Sequence, residues 1–171
     1  MNWEIQLIYE NVSMDAKYID AVKREDEDTL QRMVQNFAKM QEYDVGPAEH
    51  RTSSENFNVF DLAKAGSSGG GRIDFYRPAV YFAIASERTK EIQKSLKEKG
   101  YPAPYGKNVI KAYLKIDSDK DFYQKEPNGT EIFGITDINR IKSADSITYD
   151  DNDEIIPLSQ RFDLSNDDIR Y

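Results

Sequence analysis

From Ile110 to Ile116 the chain reads IKAYLKI, an alternation that puts Ile110, Ala112, Leu114 and Ile116 on one face and Lys111, Tyr113 and Lys115 on the other. A period of two is the pattern of a strand with one face buried and one exposed. Such a strand cannot pair its own backbone, so the chain must supply neighbours. The segment AVYFA, residues 79–83, is apolar enough to be a buried strand, and EIFGI, residues 131–135, follows the turn KEPNG. A further strand is expected near His50, and a weaker alternation in NWEIQLIYE, residues 2–10, predicts another.

Helical spacing is equally plain elsewhere. Leu30, Met33, Val34, Phe37 and Ala38 recur at i, i+3, i+4, i+7 and i+8, one apolar stripe of a helix. Asp26 or Asp28 can cap it, since a carboxylate accepts from the free N–H groups at the positive helix end. Before it, Ala16, Ile19 and Val22 predict a shorter helix capped by Ser13, so the two form a hairpin. Ser86 caps a third helix, ERTKEIQKSLKEK, that Gly100 ends, with Ile92 and Leu96 directed inward. Strands mixed with few crossover helices indicate an α+β domain. The expected organisation is a lead-in over 1–43, a core over 44–145 and an acidic, extended tail over 146–171 packed on that core.

The composition narrows the chemistry. The 171 residues include 31 acids against 23 bases, a net charge of −8, which repels a phosphate backbone and argues against nucleic acid as a partner. Cysteine is absent and His50 is the single histidine, so neither a disulfide nor a zinc site is expected. No apolar run reaches bilayer length and the start of the chain lacks a basic n-region, so a soluble, cytoplasmic protein is expected, with no membrane partner. No heptad or apolar patch assigns an oligomeric state.

Few residues suggest chemistry one at a time. A lone histidine is more often structural than functional, yet Arg51, Thr52 and Ser53 follow His50 with donors for a polar ligand, and the residues leave both readings open. The loop GSSGGG, residues 66–71, can cradle phosphate through its N–H groups but matches neither nucleotide-binding fingerprint, and a plain loop is the simpler reading. Tyr81 and Phe82 read first as core, although a tyrosine also offers a flat face for an aromatic ligand. Glu131 at a strand start is ordinarily a surface acid, and the acids of YDDNDE lack the spacing of a calcium loop.

Their order along the chain says more. EHRTSSENFNVFD, then the glycine loop, then VYFA, then TEIFGITDINRIKSA resembles the ADP-ribosyltransferase-like domains of phage and mobile-element polyvalent proteins. Those domains carry Tyr-His-Gly-Thr, Phe-x-x-Phe-Asp, Gly-x-Tyr-Phe and a closing Asp-Pro-x-Gln-Ile-Lys-Ser-Ala. The helical lead-in and the ending DSITYDDNDEIIPLSQRFDLSNDDIRY are similar too, so the resemblance spans residues 14–171. It implies a split, bent, mixed or antiparallel sheet of the ADP-ribosyltransferase type behind an N-terminal helical hairpin, with NAD as co-substrate and no metal. It also implies the roles of a histidine–tyrosine–glutamate site. His50 would bond ribose hydroxyls and the Arg51 backbone would hold the nicotinamide amide. Thr52 and Phe82 would line the cofactor site, Tyr81 would stack on nicotinamide, and Glu131 would stabilise the cationic centre left as nicotinamide departs.

The chain departs from that pattern at three places. Arg51 stands where the family has glycine, Ala79 replaces the glycine before the Tyr-Phe pair, and Glu131 lies six residues before Asp137 where the family spacing is five. One extra residue turns a strand side chain to the other face unless a bulge absorbs it, so either Gly134 is a bulge and the site is intact, or Glu131 points away and the enzyme is dead or altered. The expected activity is mono-ADP-ribosylation of a protein acceptor, phage-encoded and directed at a host protein. The alternative is an inactive domain of the same fold that binds or inhibits a partner.

Overall fold

The computed structural model describes residues 3–64, 78–102 and 106–171. It is an α+β structure of three α-helices and one open, six-stranded sheet. The helices are α1 (Trp3–Lys23), α2 (Glu27–Met40) and α3 (Glu87–Glu98). The strands are β1 (Val45–Thr52), β2 (Val80–Ile84), β3 (Asn108–Leu114), β4 (Phe122–Lys125), β5 (Glu131–Ile135) and β6 (Ile141–Ser143). They lie in the order β4-β5-β2-β1-β3-β6, and every pairing is antiparallel. Hydrogen bonding runs from strand to strand across all six. The one irregularity in register lies between Val45 and Ala48, where β1 contains the cis Gly46–Pro47 peptide. Gly46 has φ +134, and a Cβ there would lie 2.6 Å from the Ala112 carbonyl oxygen, so the kink requires glycine.

The N-terminus corrects the sequence reading. Residues 2–10 were expected as a strand and Ser13 as a cap, but α1 runs unbroken through Ser13 for 21 residues. Trp3, Ile5, Leu7 and Tyr9 alternate, yet Ile5, Ile8 and Val12 also satisfy helical spacing, and no turn residue separates them from the helix that follows. A helix closes its backbone hydrogen bonds within the segment, where a strand needs a free sheet edge. The cap of α2 is as expected: the Asp26 carboxylate accepts from the Thr29 N–H at 3.1 Å. Ser86 caps α3 in the same way through the Thr89 N–H at 3.2 Å. Ile92 and Leu96, expected to face inward, are both exposed.

Each face of the sheet has its own core. On one, α1 and α2 bring Tyr18, Leu30, Val34 and Phe37 against Tyr43 and Tyr113, joined by Leu158 and Phe162 from the last segment of the chain. On the other, Ala48, Phe60, Phe82, Leu114, Phe133 and Ile169 pack together. β3 is therefore not half-exposed throughout. Tyr113, placed by alternation on the solvent face, is buried under the helices, while Val109 and Lys111 at the other end remain exposed. The lead-in, core and tail segments of the sequence reading thus share cores.

Charged groups tie the edges down. The Asp121 carboxylate, whose side chain is fully buried, pairs with the Arg140 guanidinium and accepts from the Thr136 N–H and hydroxyl at 2.9 Å each, which fastens the start of β4 to the segment before β6. The buried Lys142 ammonium donates to the carbonyls of Asn166 at 2.6 Å and Asp168 at 3.2 Å. The Ser143 and Ile169 N–H groups donate to the carbonyls of Ile169 and Asn58, so the tail stitches β6 to the loop after β1. No helix among the described residues is long and apolar enough to cross a membrane.

Candidate functional site

Strands β5, β2 and β1 are neighbours at the centre of the sheet, and they carry Glu131, Tyr81 and His50. Register decides which side chains share a face. Glu49 pairs with Ala83, so His50 stands opposite Phe82; Phe82 pairs with Phe133, and Ile84 with Glu131. His50, Phe82, Phe133 and Glu131 therefore project from one face, and Tyr81 projects from the other. The expected three-residue convergence is corrected to a pair. Neither ladder shifts around Gly134, which pairs with Tyr81 on one side and Phe122 on the other. Neither alternative holds: there is no bulge, and Glu131 still reaches the face of His50 through regular alternation.

Gly134 has a different task. A Cβ built there would lie 2.8 Å from Cε1 of Tyr81 and 3.0 Å from Cβ of Phe122. The bare backbone makes room for the Tyr81 ring, which meets the Phe122 ring edge-on with centroids 6.1 Å apart. Tyr81 is thus seated on the face opposite the site, and burial pushes its phenol pKa up.

His50 is half-buried. Its ring meets Phe60 edge-on at 5.2 Å and Phe82 at 5.5 Å. Nδ1 lies 2.8 Å from the Tyr81 carbonyl oxygen. A carbonyl only accepts, so Nδ1 carries the proton and the neutral ring presents the lone pair of Nε2. Burial holds the pKa below its ordinary value, against the opposing pull of the Tyr81 carbonyl on the protonated form. Tyr81 thus contributes its backbone to this face rather than its ring.

Glu131 begins β5 and is half-buried. The Tyr123 hydroxyl donates to its Oε1 at 2.7 Å, and the Tyr123 ring leans on Phe133 with centroids 5.2 Å apart. That hydrogen bond raises the Tyr123 pKa. One residue earlier, the Thr130 hydroxyl accepts from the Ser86 N–H at 3.2 Å and lies 2.9 Å from the Thr89 hydroxyl, which ties the start of β5 to the cap of α3. Strand spacing and rise put the His50 and Glu131 Cα atoms about 12 Å apart, over a floor of Phe82, Ile84 and Phe133.

The remaining expected residues separate. Thr52 shares the face of His50, but its hydroxyl accepts from the Ser54 N–H at 3.1 Å and is largely buried. The Arg51 side chain points to the opposite face, with its guanidinium 3.9 Å from the Glu49 carboxylate, while its backbone, the part expected to hold the nicotinamide amide, sits in the β1 ladder opposite Val109. Phe82 is buried beneath His50 as part of the floor. The loop GSSGGG lies outside the described residues. Past Thr52 the strand end opens on a polar groove of about 680 Å³ lined by Asn56, Phe57, Asn108, Lys111 and Arg170. Among the described residues no three His, Cys, Asp or Glu side chains gather as a metal site.

Tyr123 and Phe133 went unnoticed as site residues. The signal was present: FYQK before a Pro-Asn-Gly turn and EIFGI after it form a hairpin, and the hairpin sets Tyr123 beside Phe133 and Glu131. Compared with family models, with curated proteins and with solved structures, the chain matches none.

Proposed function

We propose that this chain is an NAD-dependent mono-ADP-ribosyltransferase that modifies a protein inside the cell. The observation that carries the reading is the placement of His50 and Glu131 on one face of the adjacent strands β1, β2 and β5, with Phe82 and Phe133 between them. The Nε2 lone pair of His50 accepts a hydrogen bond from a ribose hydroxyl, and the apolar floor receives the nicotinamide end. The polar groove beyond Thr52 offers room for the rest of an extended dinucleotide.

In the reaction the bond between nicotinamide nitrogen and ribose C1′ breaks, and nicotinamide leaves with the electron pair. The positive charge spreads over C1′ and the ring oxygen. The Glu131 carboxylate, steadied by the Tyr123 hydroxyl, stabilises that charge as it develops, which is where fixed electrostatics lower a barrier most. An acceptor nucleophile then bonds to C1′ and releases its proton to solvent. Water in that role gives free ADP-ribose.

A second reading, a domain that binds NAD or a partner without transfer, is favoured by one observation: the Tyr81 ring lies on the face away from His50. Calorimetry with NAD separates the two when combined with a nicotinamide-release assay in cell extract. The transferase reading predicts binding that His50→Ala loses, and release that Glu131→Gln lowers at least about 100-fold with binding kept, the size of loss seen when one preorganised electrostatic partner is removed. Binding without release supports the second reading. No binding at millimolar NAD overturns the transferase reading and leaves a domain that binds a partner.

A further inference from the structure

We infer that the open edge of β4 is a strand-addition site, and that its occupant is an extended, acid-bearing segment of a partner protein. The identity of that partner as the acceptor rests on the transferase reading above; the strand addition itself does not.

The sheet ends in β6 on one side and in β4 on the other. The β6 side is closed, because the Ser143 N–H donates to the Ile169 carbonyl and the Lys142 ammonium holds the carbonyls of Asn166 and Asp168. No such cover lies on β4 among the described residues. Its ladder pairs Phe122 with Gly134 and Gln124 with Ile132, and at the turn the Glu126 N–H donates to the Thr130 carbonyl. Antiparallel bonds alternate along a strand, so Phe122, Gln124 and Glu126 turn their backbone groups to β5, and Tyr123 and Lys125 turn theirs outward. The N–H and C=O of both residues are left without a described partner along this edge.

An unpaired backbone edge takes another extended backbone. Side chains decide which one. Tyr123 and Lys125 are both exposed and alternate onto the face of His50 and Glu131. Glu131 stands across from Lys125, but its carboxylate is bonded to the Tyr123 hydroxyl. Among the described residues no carboxylate pairs with the Lys125 ammonium, whereas Lys120 just before the strand is held by Asp117 and Asp137. A strand added antiparallel, like every other in this sheet, bonds to Tyr123 and Lys125 through two residues whose side chains lie beside theirs. Opposite charges attract across a ladder, and an aromatic ring favours a β-branched neighbour. Read along the added strand, the pattern is an acid, any residue, then a β-branched residue. Lysine on a short edge ordinarily keeps other strands away. Here it admits a strand that brings a carboxylate and repels one that brings a cation.

The added strand lies beside the candidate site. Cα spacings of about 4.5 Å across the Lys125–Glu131 pair and about 5.5 Å across the new bonded pair put the acid of the occupant about 10 Å from the Glu131 Cα, on the same face.

The test is nitrogen-15 and deuterium-exchange spectroscopy of the full chain without NAD. The probe is a capped peptide, Thr-Thr-Glu-Thr-Val-Thr-Thr, added to about 5 mM, a range that reaches the millimolar affinity of one short strand. The Tyr123 and Lys125 amides should exchange about fivefold more slowly at the top of that range, the ratio for a Kd of about 1 mM. Phe122 and Gln124, already bonded to β5, should keep their rates. The peptide with lysine in place of glutamate should have no effect, and in the Lys125→Glu variant, a change at an exposed position, the preference should reverse. N-methylation of the peptide at glutamate and valine removes both donors and should abolish the slowing. Unchanged exchange at Tyr123 and Lys125 overturns the proposal. Equal slowing by the glutamate and lysine peptides overturns the acidic occupant, and slowing that survives N-methylation overturns strand addition. Nicotinamide release is read separately. A chain that releases nicotinamide while these amides stay unprotected keeps the transferase reading and loses this one, and protection in a chain that does not bind NAD does the reverse.

Discussion

Nδ1 of His50 stands 2.8 Å from the carbonyl oxygen of Tyr81. These two residues were expected to meet a ligand side by side. They instead meet each other, through a ring nitrogen and a backbone oxygen. The contact assigns the proton to Nδ1 and leaves the Nε2 lone pair free to accept. It also explains how Tyr81 serves the site while its ring lies on the opposite face.

The first prediction follows from burial of that ring. His50 has its pKa held below the ordinary value near 6.5. Between the folded and unfolded values the unfolded chain binds more protons, so stability should fall as pH drops through about 6.5. Urea midpoints at pH 7.5 and 5.5 should show the loss, and His50→Gln should flatten that part of the profile. Nitrogen-15 imidazole spectra at pH 7.5 should show the Nδ1-protonated tautomer.

If the chain is the transferase proposed above, Tyr123 positions Glu131 for the reaction. Tyr123→Phe removes the hydroxyl that donates to Oε1 and keeps the ring against Phe133. Nicotinamide release should drop by about tenfold, the worth of one hydrogen bond to a charged group. KM for NAD should hardly move, because on that reading the bond orients a group that acts in the transition state. Tyr123→Ala should add a loss of thermal stability that Tyr123→Phe does not show.

Gly134 should tolerate no side chain while Tyr81 is present. Gly134→Ala puts a Cβ within 2.8 Å of the Tyr81 ring and 3.0 Å of Phe122 Cβ, and overpacking of this kind costs about 1–3 kcal/mol. Thermal unfolding measures it. In the double variant with Tyr81→Ala the two costs should fall short of their sum, since the second change removes the atom that the first collides with.

Lys142 predicts a rise in stability on the alkaline side. Burial lowers its pKa from 10.5 to about 8. Between those values the unfolded chain binds the extra proton, so stability should increase from pH 8 to pH 10 by on the order of 1–2 kcal/mol. Above pH 10 the raised pKa values of Tyr18, Tyr43 and Tyr113 reverse the trend, because the unfolded tyrosines ionise first. Lys142→Met should abolish the rise between pH 8 and pH 10 in chemical denaturation.

Much of this fold was legible before any coordinates. The stripe from Leu30 to Ala38 and the carboxylate of Asp26 specify α2 within a dozen residues. Ser86 announces α3, alternation announces β3, and the turn KEPNG announces β5. Each is a local signal, set by side chains two to four positions apart. The first nine residues show the limit of such signals, because Trp3 to Tyr9 suit both periods and only the continuity of α1 settles them.

The candidate site depended on distances of another kind. Whether Glu131 faces His50 depends on two registers, Glu49 with Ala83 and Phe82 with Phe133, that join strands 34 and 51 residues apart in the chain. A one-residue change in either reverses the answer, and no local pattern encodes the choice. The tautomer of His50, the space that Gly134 keeps for Tyr81 and the hydroxyl that Tyr123 offers Glu131 follow from the same pairings. The resemblance of ordered motifs named His50 and Glu131 as candidates. Cross-strand register, a property of the assembled sheet, brought them to one face and turned Tyr81 to the other.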